Sequence, residues 1–392
     1  MKLVQMINSF DRLVLRASET HSNSLLVVID GKVCLETYRD RLPPLMPLRS
    51  VTKSVVSLVV GHLIDTGRLK SVETPVCTFF PQWGGDPRSQ ITIQHLLTHT
   101  SGLAVRLNAE QIESPDDVVK QALEAELESE PGSRFAYDNV VVNLLSGIVE
   151  RAAGQQLDEY AKANLFGPLG INEVEWVRDR HETALAMAGL SMKAPDLVKL
   201  GQLVLNQGMW QGKRILSAEW IAESTRPAMP WLPDSGYLWW LVPKWSRVTV
   251  TKGLVRELAD SPLSSPVLDK FRRLQGKTLK LSTLQSYFSD AELQEWQARL
   301  KEGIIPGLRS STGVTEYIMA VGDLGQYLII NPRQKLVVVR QIGDSDYQDK
   351  RDSFPDILDE IRYIYSSSKK GIRALSKSSA CAASRATPSV PL

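Results

Sequence analysis

An α+β fold built on an antiparallel sheet is the class this 392-residue chain predicts, from two hairpin signatures at opposite ends and a helical middle. In residues 24–38 two β-type runs flank Asp30-Gly31. Asp-Gly between apolar runs marks a type I′ hairpin, because both turn residues must tolerate positive φ. Near the other end, residues 327–330 and 336–339 are apolar and largely β-branched, and Asn331-Pro332-Arg333-Gln334 turns between them. A helix over 353–365 follows, with Pro355 in its first turn and Ile357, Leu358, Ile361 and Ile364 on one side. Residues 3–15 have the spacing of a short amphipathic helix. Strands at both ends with a helix after the last suggest a sheet closed by the terminal elements.

The middle reads as helices over 53–65, 140–153 and 196–206, the last opened by Pro195. Between 244 and 315 the composition shifts. Residues 254–281 are charged and leucine-rich, and Ser289-Asp290-Ala291-Glu292 is a capping-box pattern opening a helix expected to end at Gly303. This stretch reads as an inserted helical subdomain, either a wall or lid over a cleft or a peripheral interface. The tail over 366–392 carries Lys369, Lys370, Arg373, Lys377 and Arg385 with no acids, is rich in Ser and Ala, and is expected to be disordered.

Composition narrows the function classes. Hydrophobic residues make up 43% and charged residues 23%, which excludes disordered, collagen-like and disulfide-scaffold proteins. A formal net charge of +2 arises from the tail, so the body offers no track for a phosphate backbone. Cys34, Cys77 and Cys381 are odd in number and widely spaced, which fits a reducing compartment. Cys34 on a strand and Cys77 in an apolar segment read as core or edge thiols. The apolar run over 55–64 is too short to span a membrane, and the amino terminus makes a poor signal peptide. A cytoplasmic location is expected.

Two segments could carry chemistry. Ser50-Val51-Thr52-Lys53 opens an apolar helix, and i, i+3 spacing puts Lys53 one turn from Ser50 on the same face. A serine hydroxyl needs a base, a lysine in an apolar pocket can lose its proton to become one, and a helix amino terminus favours an oxyanion. Against this, Ser50 could merely cap the helix and Lys53 lie in solvent. About one or two SxxK matches arise by chance in such a chain, and Ser366–Lys369 and Ser367–Lys370 also match, in the tail. The second segment, Phe135-Ala136-Tyr137-Asp138-Asn139, stands before a helix. There Tyr137 could shuttle a proton and Asn139 could hold the lysine or a substrate carbonyl. The plain alternative is an interface tyrosine and an asparagine cap.

The order and distance of these motifs extend to others: Ile64-Asp65-Thr66-Gly67, the run from Ile91 through His99 to Leu103, Pro168-Leu169-Gly170, Ala188-Gly189-Leu190, and Gly236-Tyr237 to Trp240. Together they resemble the serine β-lactamase and penicillin-binding-protein superfamily, in its class C β-lactamase-related branch of esterases and 6-aminohexanoate-dimer hydrolases. The resemblance covers roughly residues 24–341 apart from the insertion. It implies a serine β-lactamase-like fold: a discontinuous sheet domain over 1–49 and 200–365, and a mostly helical domain over 50–199. It further implies Ser50 as acylated nucleophile, Lys53 as proton acceptor, Tyr137 as partner base and acid, and Asn139 as positioning residue. The backbone N–H of Ser50 would supply half of an oxyanion hole and a strand around 320–326 the other half, with Asp323 as the donor.

The third motif departs from the family pattern of Lys or His, a small residue, then Gly. Ala320-Val321-Gly322 and Asp323-Leu324-Gly325 are the candidates, and neither offers the cation. Backbone donation survives that change, whereas recognition of a substrate carboxylate does not. A catalytically impaired relative that binds an acyl or peptide-like ligand is therefore the competing expectation. Arg309 in the insertion is a possible substitute cation. No omega-loop glutamate of the class A type is recognisable. His95 and His99 stand at i, i+4 without a third ligand, so no metal is expected. No GxSxG occurs and no histidine follows His181, which excludes a nucleophile elbow with a late histidine. Of Trp239 and Trp240, adjacent on the chain, at least one should belong to the core. The expected partner is a small ester or amide, with no cofactor, nucleic acid or membrane; the sequence leaves the oligomeric state open.

Overall fold

A computed structural model describes residues 2–105, 116–301 and 310–367. Arg309, Gly303, Cys381 and the lysines of the two tail SxxK matches lie outside them. The chain forms two compact units, one of Met1–Ala228, Ser235–Trp240 and Ile318–Leu392, the other of Met229–Asp234 and Leu241–Tyr317.

In the first unit the elements used below are α1 (Lys2–Glu19), β1 (Ser24–Ile29), β2 (Lys32–Tyr38), β3 (Leu45–Pro47), α2 (Val51–Asp65), α3 (Leu144–Ala153), β4 (Val174–Trp176), β5 (Leu190–Lys193), α4 (Ala194–Leu205) and α5 (Ala218–Ser224). They continue with β6 (Thr315–Gly322, which enters this unit at Ile318), β7 (Gln326–Asn331), β8 (Leu336–Gln341) and α6 (Ile357–Ser367).

The main sheet contains the run β6-β7-β8-β1-β2, antiparallel throughout. Asp30 and Gly31 have φ of 50° and 74°, as the type I′ turn requires. β1 pairs with β8 from Ser24↔Gln341 to Ile29↔Leu336, so the first strand closes on the last. Every residue of β8 is buried, and α4 packs over β7, β8 and β1. Burial of both faces explains why these strands read as unbroken apolar runs rather than as alternating ones. α1 and α6 pack together, joined by Arg12–Glu360 and Arg16–Asp356.

Two helices differ from the sequence expectation. Phe354 has a left-handed φ of 53° after a 3-10 turn over Lys350–Ser353, so α6 begins only at Ile357 and Pro355 precedes it. The expected helix over 140–153 opens as a 3-10 turn over Val141–Asn143 before α3.

The second unit has its own core. Val248, Val250, Leu258, Val267 and Leu284 surround Phe271, Phe288 and Trp296, whose rings lie 5.1–5.5 Å apart. Ser289 and Glu292 form the capping box through Ser289 N–H to Glu292 Oε2 (2.6 Å) and Glu292 N–H to Ser289 Oγ (3.4 Å). Among the described residues no helix is long and apolar enough to cross a membrane.

α2 is the interior axis of the first unit: every residue from Val51 to Gly61 is buried. At Gly61 the indole of Trp220, on α5, lies flat enough that an added Cβ would stand 2.1 Å from its Nε1. Alanine gains about 1 kcal/mol over glycine in a helix interior, but here the clash with a rigid buried ring dominates. Gly61→Ala should therefore cost about 1–3 kcal/mol, read as a lower urea midpoint at unchanged slope.

Candidate active site

Ser50 and Lys53 sit at the head of α2. Arg49 immediately before them has φ of 52°, a left-handed conformation costly for a non-glycine residue and typical of functional turns. The Ser50 side chain makes no cap hydrogen bond to α2. It meets Lys53 Nζ at 2.9 Å instead. The capping explanation of this serine is thereby removed.

Lys53 is 3% exposed. Its Nζ also donates to Asn139 Oδ1 at 2.8 Å and to the Met187 carbonyl at 2.6 Å. Burial pulls its pKa from 10.5 to about 7, with Asp138 acting in the opposite direction. A neutral amine has two N–H bonds and one lone pair. Asn139 and Met187 can take the two N–H bonds, which leaves the lone pair aimed at the Ser50 hydroxyl.

The Tyr137 segment is held by the turn that the sequence marks with His99-Thr100-Ser101-Gly102. Gly102 has φ of 76° and an added Cβ would lie 2.0 Å from the Ser129 carbonyl, so only glycine permits this approach. The Ala136 N–H donates to the His99 carbonyl (2.8 Å), and the His99 ring lies 4.6 Å from that of Tyr137. Burial, assisted by Lys53, lowers the His99 pKa to about 3, so this imidazole is neutral. Its Nδ1 accepts the Asp138 N–H at 3.4 Å. His95 instead uses Nδ1 to accept the Thr92 N–H (3.1 Å) in a helix cap.

Asp138, not Asn139, caps the helical segment that follows, accepting from the N–H groups of Val140 (2.6 Å) and Val141 (2.9 Å). Asn139 is thereby free to face Lys53. Burial raises the Tyr137 pKa; a hydrogen bond with Ser50 opposes this and the charge of Asp323 adds to it. The phenol is therefore protonated at neutral pH although 42% of the residue is exposed. Its ring stacks at 6.0 Å on Trp240, while Trp239 is 2% exposed and belongs to the core.

Two features were not settled by the motifs: the source of the third Lys53 contact, and which of the two candidate third-motif glycines meets the backbone before Ser50. The Met187 carbonyl reaches Lys53 because β3 and β5 pair beside it and the Leu48 N–H donates to the Leu190 carbonyl (2.8 Å). The buried Asn143 side chain holds the same residue through the preceding peptide, accepting the Met187 N–H at 3.0 Å. Ala188-Gly189 marked the neighbourhood, and Gly189 does take φ of 103°. The second feature is Gly322, where an added Cβ would stand 2.4 Å from the Leu48 carbonyl. The end of β6 thus lies against the backbone that leads into Ser50. Val321 lines the cleft with Ser50, Lys53, Ser54, His99 and Tyr137. Asp323 opens a 3-10 turn just beyond, and Gly325 lies instead against the Ser353 carbonyl.

Ser50, Lys53, Tyr137 and Asn139 therefore converge, and Asp323 follows the strand that abuts them. Of the described thiols, Cys34 lies on β2 and Cys77 in a 3-10 turn, and neither is in a disulfide.

Comparisons with known proteins bear on the family and the fold. The sequence profile of the Beta-lactamase family matches residues 10–351. The 6-aminohexanoate-dimer hydrolase of Paenarthrobacter ureafaciens is 26% identical over 248 residues, 57% of this chain and 62% of that protein. Esterase EstB of Burkholderia gladioli is 32% identical over 155 residues, 34% of this chain and 38% of EstB. The matched segments thus span less than two thirds of these relatives. The crystal structure of the D-alanine carboxypeptidase AmpC from Burkholderia cenocepacia superposes with a TM-score of 0.57 at 16% identity, covering 92% of this chain and 99% of that one, a likeness of fold.

A buried amine held below its ordinary pKa destabilises the fold wherever the unfolded chain would bind the proton. Between pH 7 and 10.5 the unfolded state carries more protons on Lys53, so this group's contribution to stability rises with pH. Lys53→Met should raise stability by about 1–3 kcal/mol near pH 7, after the loss of its three hydrogen bonds is counted. The gain should shrink as pH approaches 10, as measured by urea unfolding at several pH values. A variant less stable than the parent at pH 7 would contradict the burial argument.

Proposed function

Because this chain belongs to the β-lactamase family, we propose that it is a serine hydrolase cleaving esters or amides through an acyl-enzyme on Ser50. The observation that carries the reading is the Lys53 amine, 2.9 Å from Ser50 Oγ and with acceptors for its other two positions. Ser50 Oγ attacks the carbonyl carbon as Lys53 takes its proton. The Ser50 and Asp323 N–H groups receive the oxyanion, in the register Ala320-Val321-Gly322 that places the glycine against Leu48. Tyr137, a protonated phenol, passes its proton to the leaving group and regains one from the Lys53 ammonium. Lys53 then takes a proton from the water that attacks the acyl carbon and returns it to Ser50 Oγ as the acyl chain leaves. Asn139 holds Lys53 in line.

Fluorophosphonate treatment should add one label, lost in Ser50→Ala, by intact-mass analysis. Labelling that persists in Ser50→Ala refutes the assignment, and an unlabelled parent protein would favour a ligand-binding relative without turnover. Lys53→Ala and Tyr137→Phe should each lower kcat/KM by about two to four decades, and the double variant should fall short of their product. Activity should rise with pH to a plateau above about 7, where Lys53 is neutral.

Substrate charge follows from the lining. With His99 neutral, and Lys53 neutral above about pH 7, the cleft meets a substrate with hydroxyls, aromatic rings and aliphatic side chains, and Asp323 lies close enough to Tyr137 to act on its charge. The carboxylate of a β-lactam loses a charge-assisted contact there, worth about one to two decades, whereas an uncharged ester loses nothing. A p-nitrophenyl butyrate ester should have a kcat/KM at least about tenfold above that of nitrocefin. The reverse order would mark a β-lactamase proper.

A further inference from the structure

We propose that Arg340 is a positioning residue for the oxyanion side of this site, acting through the turn that carries Asp323. The inference rests on the acyl-enzyme reading above and adds a residue that touches no reacting atom.

Arg340 lies on β8 with 0% exposure. Its Nη1 donates to the carbonyls of Leu324 (3.0 Å) and Gly325 (2.9 Å). Nη2 donates to the carbonyls of Thr20 (2.7 Å) and Asp352, and Nε donates to Ser22 Oγ (2.8 Å). All five contacts go to neutral acceptors. The nearest acid, Asp352, spends its carboxylate on the N–H groups of Gln348 and Asp349 and on His21 at 3.1 Å. Burial lowers the Arg340 pKa to about 10, which still leaves it charged at neutral pH. A buried guanidinium without a directly bonded carboxylate is expensive, and an apolar side chain would fill a strand interior at less cost.

The turn it grips explains its presence. Leu324 has φ of 63° and Gly325 φ of 88°, two successive left-handed residues that end β6 and start β7. At Gly325 an added Cβ would lie 2.3 Å from the Ser353 carbonyl and 2.7 Å from Arg340 Nη1. Only a planar fork with several donors can hold two adjacent carbonyls and two distant loops at once; an ammonium cannot. On the other flank, Gly322 is pinned against Leu48. Asp323 is the residue between these two anchors. An oxyanion donor must sit within a few tenths of an ångström of its place, so loosening one anchor weakens transition-state stabilisation while leaving Ser50, Lys53 and Tyr137 intact.

The test compares an oxygen ester with its thionoester, whose sulfur fits an oxyanion hole poorly. In Arg340→Lys, kcat for the oxygen ester should fall by about 10–100-fold with KM changed less than about threefold, and the ester-to-thionoester ratio of kcat/KM should drop at least about threefold. Ser22→Ala, which removes the Nε partner at the far end of the fork, should move the ratio the same way by a smaller factor and serves if Arg340→Lys does not fold. A ratio unchanged in the folded variant, even with lower kcat, overturns the positioning role and leaves Arg340 a stabilising residue. Absence of Ser50-dependent turnover in the parent protein would instead defeat the acyl-enzyme reading, and this inference with it.

Discussion

An amine taken out of water without a carboxylate bonded to it can stay only by shedding its proton or by finding acceptors in every direction. Lys53 has both options within reach, and the surrounding structure is arranged around that fact. Its acceptors come from the head of α2, from the segment before α3 and from the loop before β5. The last two are supported by further contacts: Asp138 takes over the capping that would otherwise occupy Asn139, and Asn143 accepts the Met187 N–H. Burial of α2 from Val51 to Gly61 excludes the water that would restore the ordinary lysine pKa.

Neighbouring residues divide labour so that none serves two demands. Tyr137, Asp138 and Asn139 face Ser50, the helix start and Lys53 respectively. Gly322 and Gly325 likewise face different backbones, Leu48 and Ser353. This separation is why the third motif can lose its cation and retain its glycine: the side chain and the backbone approach meet independent requirements.

What was legible in the sequence followed from local chemistry. The Asp30-Gly31 hairpin needed only its turn conformation, and Ser50 with Lys53 needed only helical spacing on an apolar element. Long-range requirements were not legible. Met187 contributes a carbonyl, which any residue would supply. The choice between Gly322 and Gly325 depended on which one approaches Leu48, a contact between strand and turn distant in sequence. Arg340 and Gln341 are polar, so the strand was expected to stop at Val339; the structure buries both and extends β8 through them, because backbone carbonyls accept their donors. Expectations for the 366–392 tail bear on the described residues only at Ser366 and Ser367, which close α6.

The pairing of β1 with β8 also sets an order of assembly. Ser24 and Gln341 are neighbours in the sheet, and Arg12 meets Glu360 across 348 positions of sequence. During synthesis Ser50 and Lys53 emerge early, whereas Gly322, Asp323 and Arg340 emerge near the end. Until then β1 keeps an unpaired edge, the kind of surface that recruits other chains. Such long-range closure makes folding slow relative to helix formation. The half-made protein thus holds Ser50 and Lys53 without the strand end that packs against the backbone before them, and chaperone demand should fall on the interval before the final hairpin docks.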